Sequence, residues 1–183
     1  PLAFDRGEVQ QISPTLGKDQ LHAGLLAGGL GLLLVLIYIF LFYRGLGIVS
    51  AGSLIIAGAI TYTSFLLLGK TIGFTLTLAG IPGAIVSIGI TADSFIVYFE
   101  RVRDEVREGR SLRSAVETGW VRARRTILVA DFVSIIAAAL LYFFAVGGVR
   151  GFAFTLGLST FIDLLVVFFF TKPMMSLIGR SKF

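Results

Sequence analysis

The chain has 183 residues, 56% of them hydrophobic and 15% charged, with no cysteine and a mean hydropathy of +0.91. A soluble domain carries about 25% charged residues, so this composition excludes a water-soluble enzyme and a free-standing nucleic-acid-binding domain. The absence of cysteine also excludes a disulfide framework, an iron–sulfur cluster and a thiolate zinc site.

The chain opens at Pro1 with neither a methionine nor a signal-peptide pattern, and it reads as a piece of a longer protein. Residues 1–20 are a polar stub. A membrane-spanning helix needs about 20 apolar residues at 1.5 Å rise each, and five stretches qualify. The first is Leu21–Tyr43, where the Gly24-xxx-Gly28 spacing predicts close helix packing. His22, the single histidine, stands at its outer edge as an interfacial residue, which leaves an imidazole metal site without ligands. The second is Gly45–Gly69. The third, Thr71–Phe99, is longer than a span requires, and Gly80-Ile81-Pro82-Gly83 predicts a bend or re-entrant entry before a helix that starts near Pro82. That places the span at about 78–99.

The polar connection 100–125 follows. Gly109-Arg110-Ser111 reads as a helix stop and a new N-cap at Ser111. Leu112, Ala115, Val116 and Trp120 recur at helical spacing among arginines, which predicts a short interfacial helix at the headgroups. The last two spans are Thr126–Val149 and Gly151–Thr171, and 178–183 form a tail. The expected fold is an all-α bundle of five transmembrane helices over 21–177 with that short cytoplasmic helix.

Loop charges set the orientation. Arg6, Lys18, Lys70 and Arg150 lie on the side of the N-terminus. Arg44, the arginines from Arg101 to Arg125, Lys172, Arg180 and Lys182 lie on the other. The richer side is cytoplasmic, so the N-terminus of this chain faces out and its C-terminus in.

Three carboxylates interrupt the apolar spans: Asp93, Asp131 and Asp163. An aspartate at a helix centre costs about 2.5–3.5 kcal/mol on insertion, which points each toward the bundle interior. Asp93 lies about 10 Å inside the end marked by Glu100 and Arg101, with Gly89 one turn before it to admit a neighbouring helix or water. Asp131 has Ser134 at i+3 and Arg124 two turns back, so it is either a functional group or half of an internal arginine pair. Asp163 shares a seam with Thr155 and Ser159, which can line a water path or join helices through hydroxyl hydrogen bonds. No nucleophile–base pair, metal cluster or phosphate loop accompanies them. Hence no enzymatic activity, cofactor or metal is expected.

Several strings then resemble a known family. Ile12-Ser13-Pro14-Thr15-Leu16-Gly17, Phe42-Tyr43-Arg44-Gly45-Leu46-Gly47 and Leu76-Thr77-Leu78-Ala79-Gly80-Ile81-Pro82-Gly83 resemble segments of the C-terminal membrane region of the SecD family of bacterial protein-translocase subunits. So do Asp93 with Glu100-Arg101-Val102-Arg103-Asp104-Glu105, and Gly151-Phe152-Ala153-Phe154-Thr155-Leu156-Gly157. The resemblance, within the resistance–nodulation–division superfamily, implies helices two to six of a six-helix subunit. The first helix and most of a periplasmic domain would be missing. It places Asp93 on the family's proton-coupling aspartate. It places Asp131 where the family often has asparagine, two residues beyond its usual acid. Arg124 and Arg125 have a counterpart arginine in the companion SecF half, which implies a supporting role for Arg125.

The implied function is an accessory subunit of the export translocase of the bacterial inner membrane, in which proton flow promotes outward movement of secreted polypeptide. A SecF-like subunit, the translocation channel, the secreted polypeptide and membrane lipid would be its partners; nucleic acid would not. A small-molecule or lipid exporter of the same superfamily and a non-transporting scaffold are the alternatives.

Overall fold

The computed structural model describes residues 14–43, 45–72 and 79–180. Among these, regular structure is helical: α1 (Pro14–Tyr43), α2 (Leu46–Ile72), α3 (Gly80–Arg107), α4 (Leu112–Phe144), α5 (Gly148–Val166), a π-helical turn over Val167–Thr171, and α6 (Lys172–Arg180). Five helical runs are long and apolar enough to cross a membrane, the last being α5 continued through the π turn into α6. Hydrocarbon offers no partner to backbone N–H and C=O groups, so each segment must satisfy its own. That requirement overrides the poor helix propensity of the glycines, serines and threonines along α2. Residues 1–13, Arg44, the approach to the third span over 73–78, and 181–183 lie outside the described residues.

Helices α3, α4 and α5 pack against one another as the centre of the bundle, and α1 and α2 lie against them. Glycines set the crossings. A Cβ on Gly24 would come 2.7 Å from Ile81, and one on Gly28 would come 3.2 Å from Ile85, so the expected glycine pair of α1 receives two isoleucines of α3. On Gly83 a Cβ would collide with the Thr155 hydroxyl and lie 2.7 Å from the Phe152 carbonyl oxygen, which marks the closest approach of α3 to α5. A Cβ on Gly119 would come 3.0 Å from the backbone of Val102, and one on Gly157 would come 3.2 Å from Ala138. These pairs make α3 parallel to α1 and α5, and antiparallel to α4.

The apolar core gathers at the arginine-rich end. Ile39, Phe95, Tyr98, Phe99, Val102, Trp120, Ile127 and Val167 are buried together there. The Trp120 ring makes edge contacts with Tyr98 at 5.3 Å and Phe168 at 4.9 Å between centroids.

The turn between α3 and α4 forms as its residues predict. Gly109 adopts φ +89°, Gly109 N–H donates to the Val106 carbonyl, and Arg110 N–H donates to the Glu105 carbonyl. That is the pairing of a Schellman stop, which needs a residue without Cβ at the left-handed position. Ser111 then caps α4 by accepting from Ser114 N–H at 3.5 Å. Here the structure departs from expectation. The connection over 100–125 is mostly helix, because α3 runs to Arg107 and α4 starts at Leu112. The Ser111–Trp120 segment is not a separate interfacial helix but the first turns of α4, 33 residues long. No proline or second glycine follows Gly119 to break it, and Gly119 itself is used for the contact with Val102. At about 1.5 Å per residue, α4 is some 50 Å long and projects well beyond a 30 Å hydrocarbon layer.

The third span begins at Gly80 with Pro82 in its first turn, as expected. The last span does not stop at Thr171. Its backbone loosens into the π turn, where the buried Thr171 hydroxyl lies 2.9 Å from Ser53 of α2 and donates to the Val166 carbonyl at 3.4 Å. The chain then continues as α6, anchored to α4 through Glu117, which accepts from Ser176 at 2.9 Å and faces Lys172.

Candidate functional site

Helical registers bring the three membrane carboxyls to one depth. On the parallel pair α3 and α5, Gly83 faces Thr155; eight residues further along each helix, Thr91 faces Asp163, and the two side chains are within hydrogen-bonding reach. Along the antiparallel pair α4 and α5, the contact of Ala138 with Gly157 places Asp131 opposite Asp163. The same count along α3 and α4, from Gly119 against Val102, places Asp131 within a turn of Asp93. The three carboxyls lie within electrostatic range in sequence, Asp93 of Asp131 and Asp131 of Asp163.

Their surroundings differ. Asp131 and Asp163 are 1% and 3% exposed, inside the packed centre. Among the described residues, neither oxygen of Asp131 nor Oδ2 of Asp163 has a hydrogen-bond partner. The hydroxyl of Ser159, one turn before Asp163 on the same face, is also buried without a partner. Asp93 is exposed. Gly89, one turn before it, has open space where a Cβ would stand. Val86, a further turn back, is also exposed, so Asp93 sits in an uncovered stripe of α3 at the level of two buried acids.

The hydroxyl seam of α5 divides. Thr155 joins helices, its hydroxyl lying 2.9 Å from the Gly80 carbonyl of α3 and 2.9 Å from that of Phe152. Ser159 and Asp163 are left for other partners. Ser134 turns away from Asp131 and donates to the Ala130 carbonyl at 3.1 Å. The alternative of an Arg124–Asp131 pair is not realised. Arg124 and Arg125 are exposed, and no ion pair among the described residues joins either of them to a carboxylate of the site. Side chains lean toward a helix N-terminus, and the N-terminus of α4 is at the arginine-rich end, so both guanidinium groups lean away from Asp131. His22 is exposed near the far end of α1, remote from the carboxyls.

Three further features carry charge or polarity in ways the spans alone do not reveal. Glu105 is fully buried between Arg110, 2.9 Å away, and Arg122, 2.6 Å away. Its signal in the sequence is periodic, since Phe95, Phe99, Val102 and Glu105 continue one buried stripe. Glu100 accepts from the Tyr43 hydroxyl at 2.5 Å, tying α1 to α3 at the same end. Thr91, next to Asp163, belongs to a buried line of small polar residues on α3 with Ser87 and Ser94.

Residues 2–181 match the family model described as the C-terminal region of the protein export membrane proteins SecD and SecF. The chain belongs to this SecD/SecF family. It is 58% identical over 183 residues to the protein translocase subunit SecD of Streptomyces coelicolor, and 55% identical over 182 residues to that of Mycobacterium tuberculosis. Both alignments cover 100% of this chain and 32% of the relative, so the chain spans about a third of their length. It is also similar to the crystal structure of SecDF, a translocon-associated membrane protein from Thermus thermophilus, with a TM-score of 0.83 and 33% identity over 91% of this chain and 23% of that one. A SecDF structure in a super-membrane-facing form gives a TM-score of 0.80 at 32% identity, covering 93% of this chain and 23% of that one. Within the SecD/SecF family, then, this chain is a membrane bundle of five helices with three acids at one level.

Proposed function

We propose that this bundle serves protein export by coupling proton movement across the bacterial inner membrane to outward movement of secreted polypeptide, with Asp93 as the group that takes up and releases the proton. The observation that carries this reading is the position of Asp93: exposed on α3 at the depth of two buried carboxyls, with no ion pair to a cation among the described residues. An ionised carboxylate held in hydrocarbon without compensation costs several kcal/mol. Loading or unloading a proton at Asp93 therefore changes which arrangement of its surroundings is favoured. One proton crossing a potential of about 100 mV supplies about 2.3 kcal/mol, a bias of roughly fiftyfold between two states at 1.4 kcal/mol per decade.

The uncovered stripe of Val86, Gly89 and Asp93 fits a second, SecF-like bundle that would enclose the carboxyl between two halves. The translocation channel and the emerging polypeptide would be engaged by the parts of the longer protein outside this chain. The arginine-rich end, carrying Arg101 to Arg125, is the cytoplasmic one by the excess of basic residues. Translocase subunits among the matched relatives favour polypeptide export over small-molecule or lipid export, and the intramembrane acids favour transport over a scaffold role.

The test is Asp93→Asn in the full-length subunit. The variant assembles, and stimulation of export by the proton-motive force is lost. Unchanged stimulation would make Asp93 a packing residue and end the reading.

A further inference from the structure

Of the buried groups not assigned above, the richest in unmet hydrogen-bonding capacity lie together behind Asp93. Asp131 offers two oxygens, Asp163 one and Ser159 a hydroxyl, none with a partner among the described residues and all within residues 1–3% exposed. They come from two helices, α4 and α5, that face each other at this depth.

From this juxtaposition we infer that Asp131 and Asp163 form a second proton-binding site, a carboxyl pair that shares a single proton. The inference rests on the proton-coupled reading of the bundle and extends it from the open face to the interior.

Two ionised carboxylates side by side in an apolar bundle repel each other and lack compensation. Two neutral acids leave no acceptor that binds strongly. One proton between them gives a carboxyl that donates to a carboxylate, a charge-assisted hydrogen bond shorter and stronger than a neutral one. No arginine or lysine among the described residues forms an ion pair with either acid, and Asp93 on the open stripe of α3 lies within electrostatic range of Asp131. The remaining carboxylate lone pairs need donors, and the hydroxyls supply them. Ser159 stands one turn from Asp163 with its proton uncommitted.

Thr91 has one hydroxyl proton and two acceptors, the Ser87 carbonyl at 2.9 Å and the Asp163 carboxyl. It donates to Asp163 when the shared proton sits on Asp131, and to the Ser87 carbonyl when the proton sits on Asp163. The proton balance is simple: the pair gains one proton from Asp93 or from water entering beside Gly89, and returns one by the same exchange. No other bond is made or broken. Asp93 exchanges with the outside; the pair stores.

Infrared difference spectroscopy on the full-length subunit in lipid, with ¹³C-labelled aspartate to assign the bands, tests the inference. The expected result is one protonated-carboxyl band that is lost in Asp131→Asn and equally in Asp163→Asn, persists in Asp93→Asn, and shifts in Ser159→Ala. Proton-driven export should fall in either single variant and no further in the double, because residues acting as one unit are not additive. Two independent bands, each removed by only one substitution, would overturn the pair. So would a band unaffected by Asp131→Asn. Should an asparagine variant fail to assemble, the label-assigned band and its shift in Ser159→Ala decide the matter in an otherwise unaltered site. Persistence of the band in Asp93→Asn separates this inference from the reading of Asp93, which fails only if stimulation survives that variant.

Discussion

At Glu105 a full charge completes an apolar stripe. It is tolerated because two guanidinium groups meet its carboxylate while themselves staying partly in water, 44% exposed for Arg110 and 53% for Arg122. Removing the acid returns both arginines to solvent and leaves no stranded charge. We therefore expect Glu105→Gln to destabilise the bundle by about 2 kcal/mol, in the range of lost charge-assisted hydrogen bonds. That is less than the roughly 3–5 kcal/mol of breaking a fully buried pair. Thermal unfolding in detergent would measure it, and a transition at the parent temperature would show that the clamp contributes nothing. The same scale explains why the acids of the spans behave differently. Each aspartate is legible in the sequence as an anomaly among apolar neighbours, yet nothing in its own neighbours says whether a cation will meet it. Arg124 lies on the stripe of Asp131 and still leans the other way, because side-chain direction follows helix polarity.

For the elements, the decisive residues are glycines that face backbone. A side chain on Gly83 would have to displace both the Thr155 hydroxyl and the Phe152 carbonyl oxygen, and neither can give way without parting α3 from α5. Gly83→Val is expected to lower the yield of folded subunit sharply, while Gly89→Ala, with open space around its new methyl group, leaves the isolated subunit unchanged. Size-exclusion profiles of the two variants check this, and equal behaviour would contradict the crossing geometry. Helix starts and stops were legible where local chemistry makes them, as at Gly109 and Ser111. The continuity of α4 was not. Its arginines look like a solvated loop by composition, and tertiary contacts hold the first turns in line with the span: Gly119 against Val102 and the Val116 carbonyl with the Tyr98 hydroxyl on α3, and Glu117 with α6. The π turn has no sequence signature either. It forms where the buried Thr171 meets Ser53 and the chain must re-aim α6 toward α4.

On the scale of the whole molecule, parallel and antiparallel registers alternate through the bundle, so Asp19 and Arg113 lie at opposite ends. Cysteines replacing these two exposed residues should label from opposite faces of sealed vesicles, Asp19→Cys from outside and Arg113→Cys from the cytoplasmic face. Labelling of both from one face would refute the orientation. A bulky side chain on the uncovered stripe of α3 should act at the same scale. Val86→Trp is expected to leave the subunit folded and to reduce its recovery with a SecF-like partner in pull-down from membranes. Full recovery would move that interface elsewhere.

The sequence by itself determined the number of spans, the basic end, the α3–α4 turn, the family strings and the identity of the three acids. These follow from local chemistry: length against hydrocarbon thickness, caps that need particular side chains, and charges that cannot be hidden among apolar neighbours. Only the tertiary structure decided which face each acid presents. In a span that is apolar around its whole circumference, hydropathy carries no contrast between lipid and neighbour, so the face cannot be read along the chain. It is set by close approaches at Gly83, Gly119 and Gly157, which fix the registers of three helices at once. Those registers bury Asp131 and Asp163 together and leave Asp93 open.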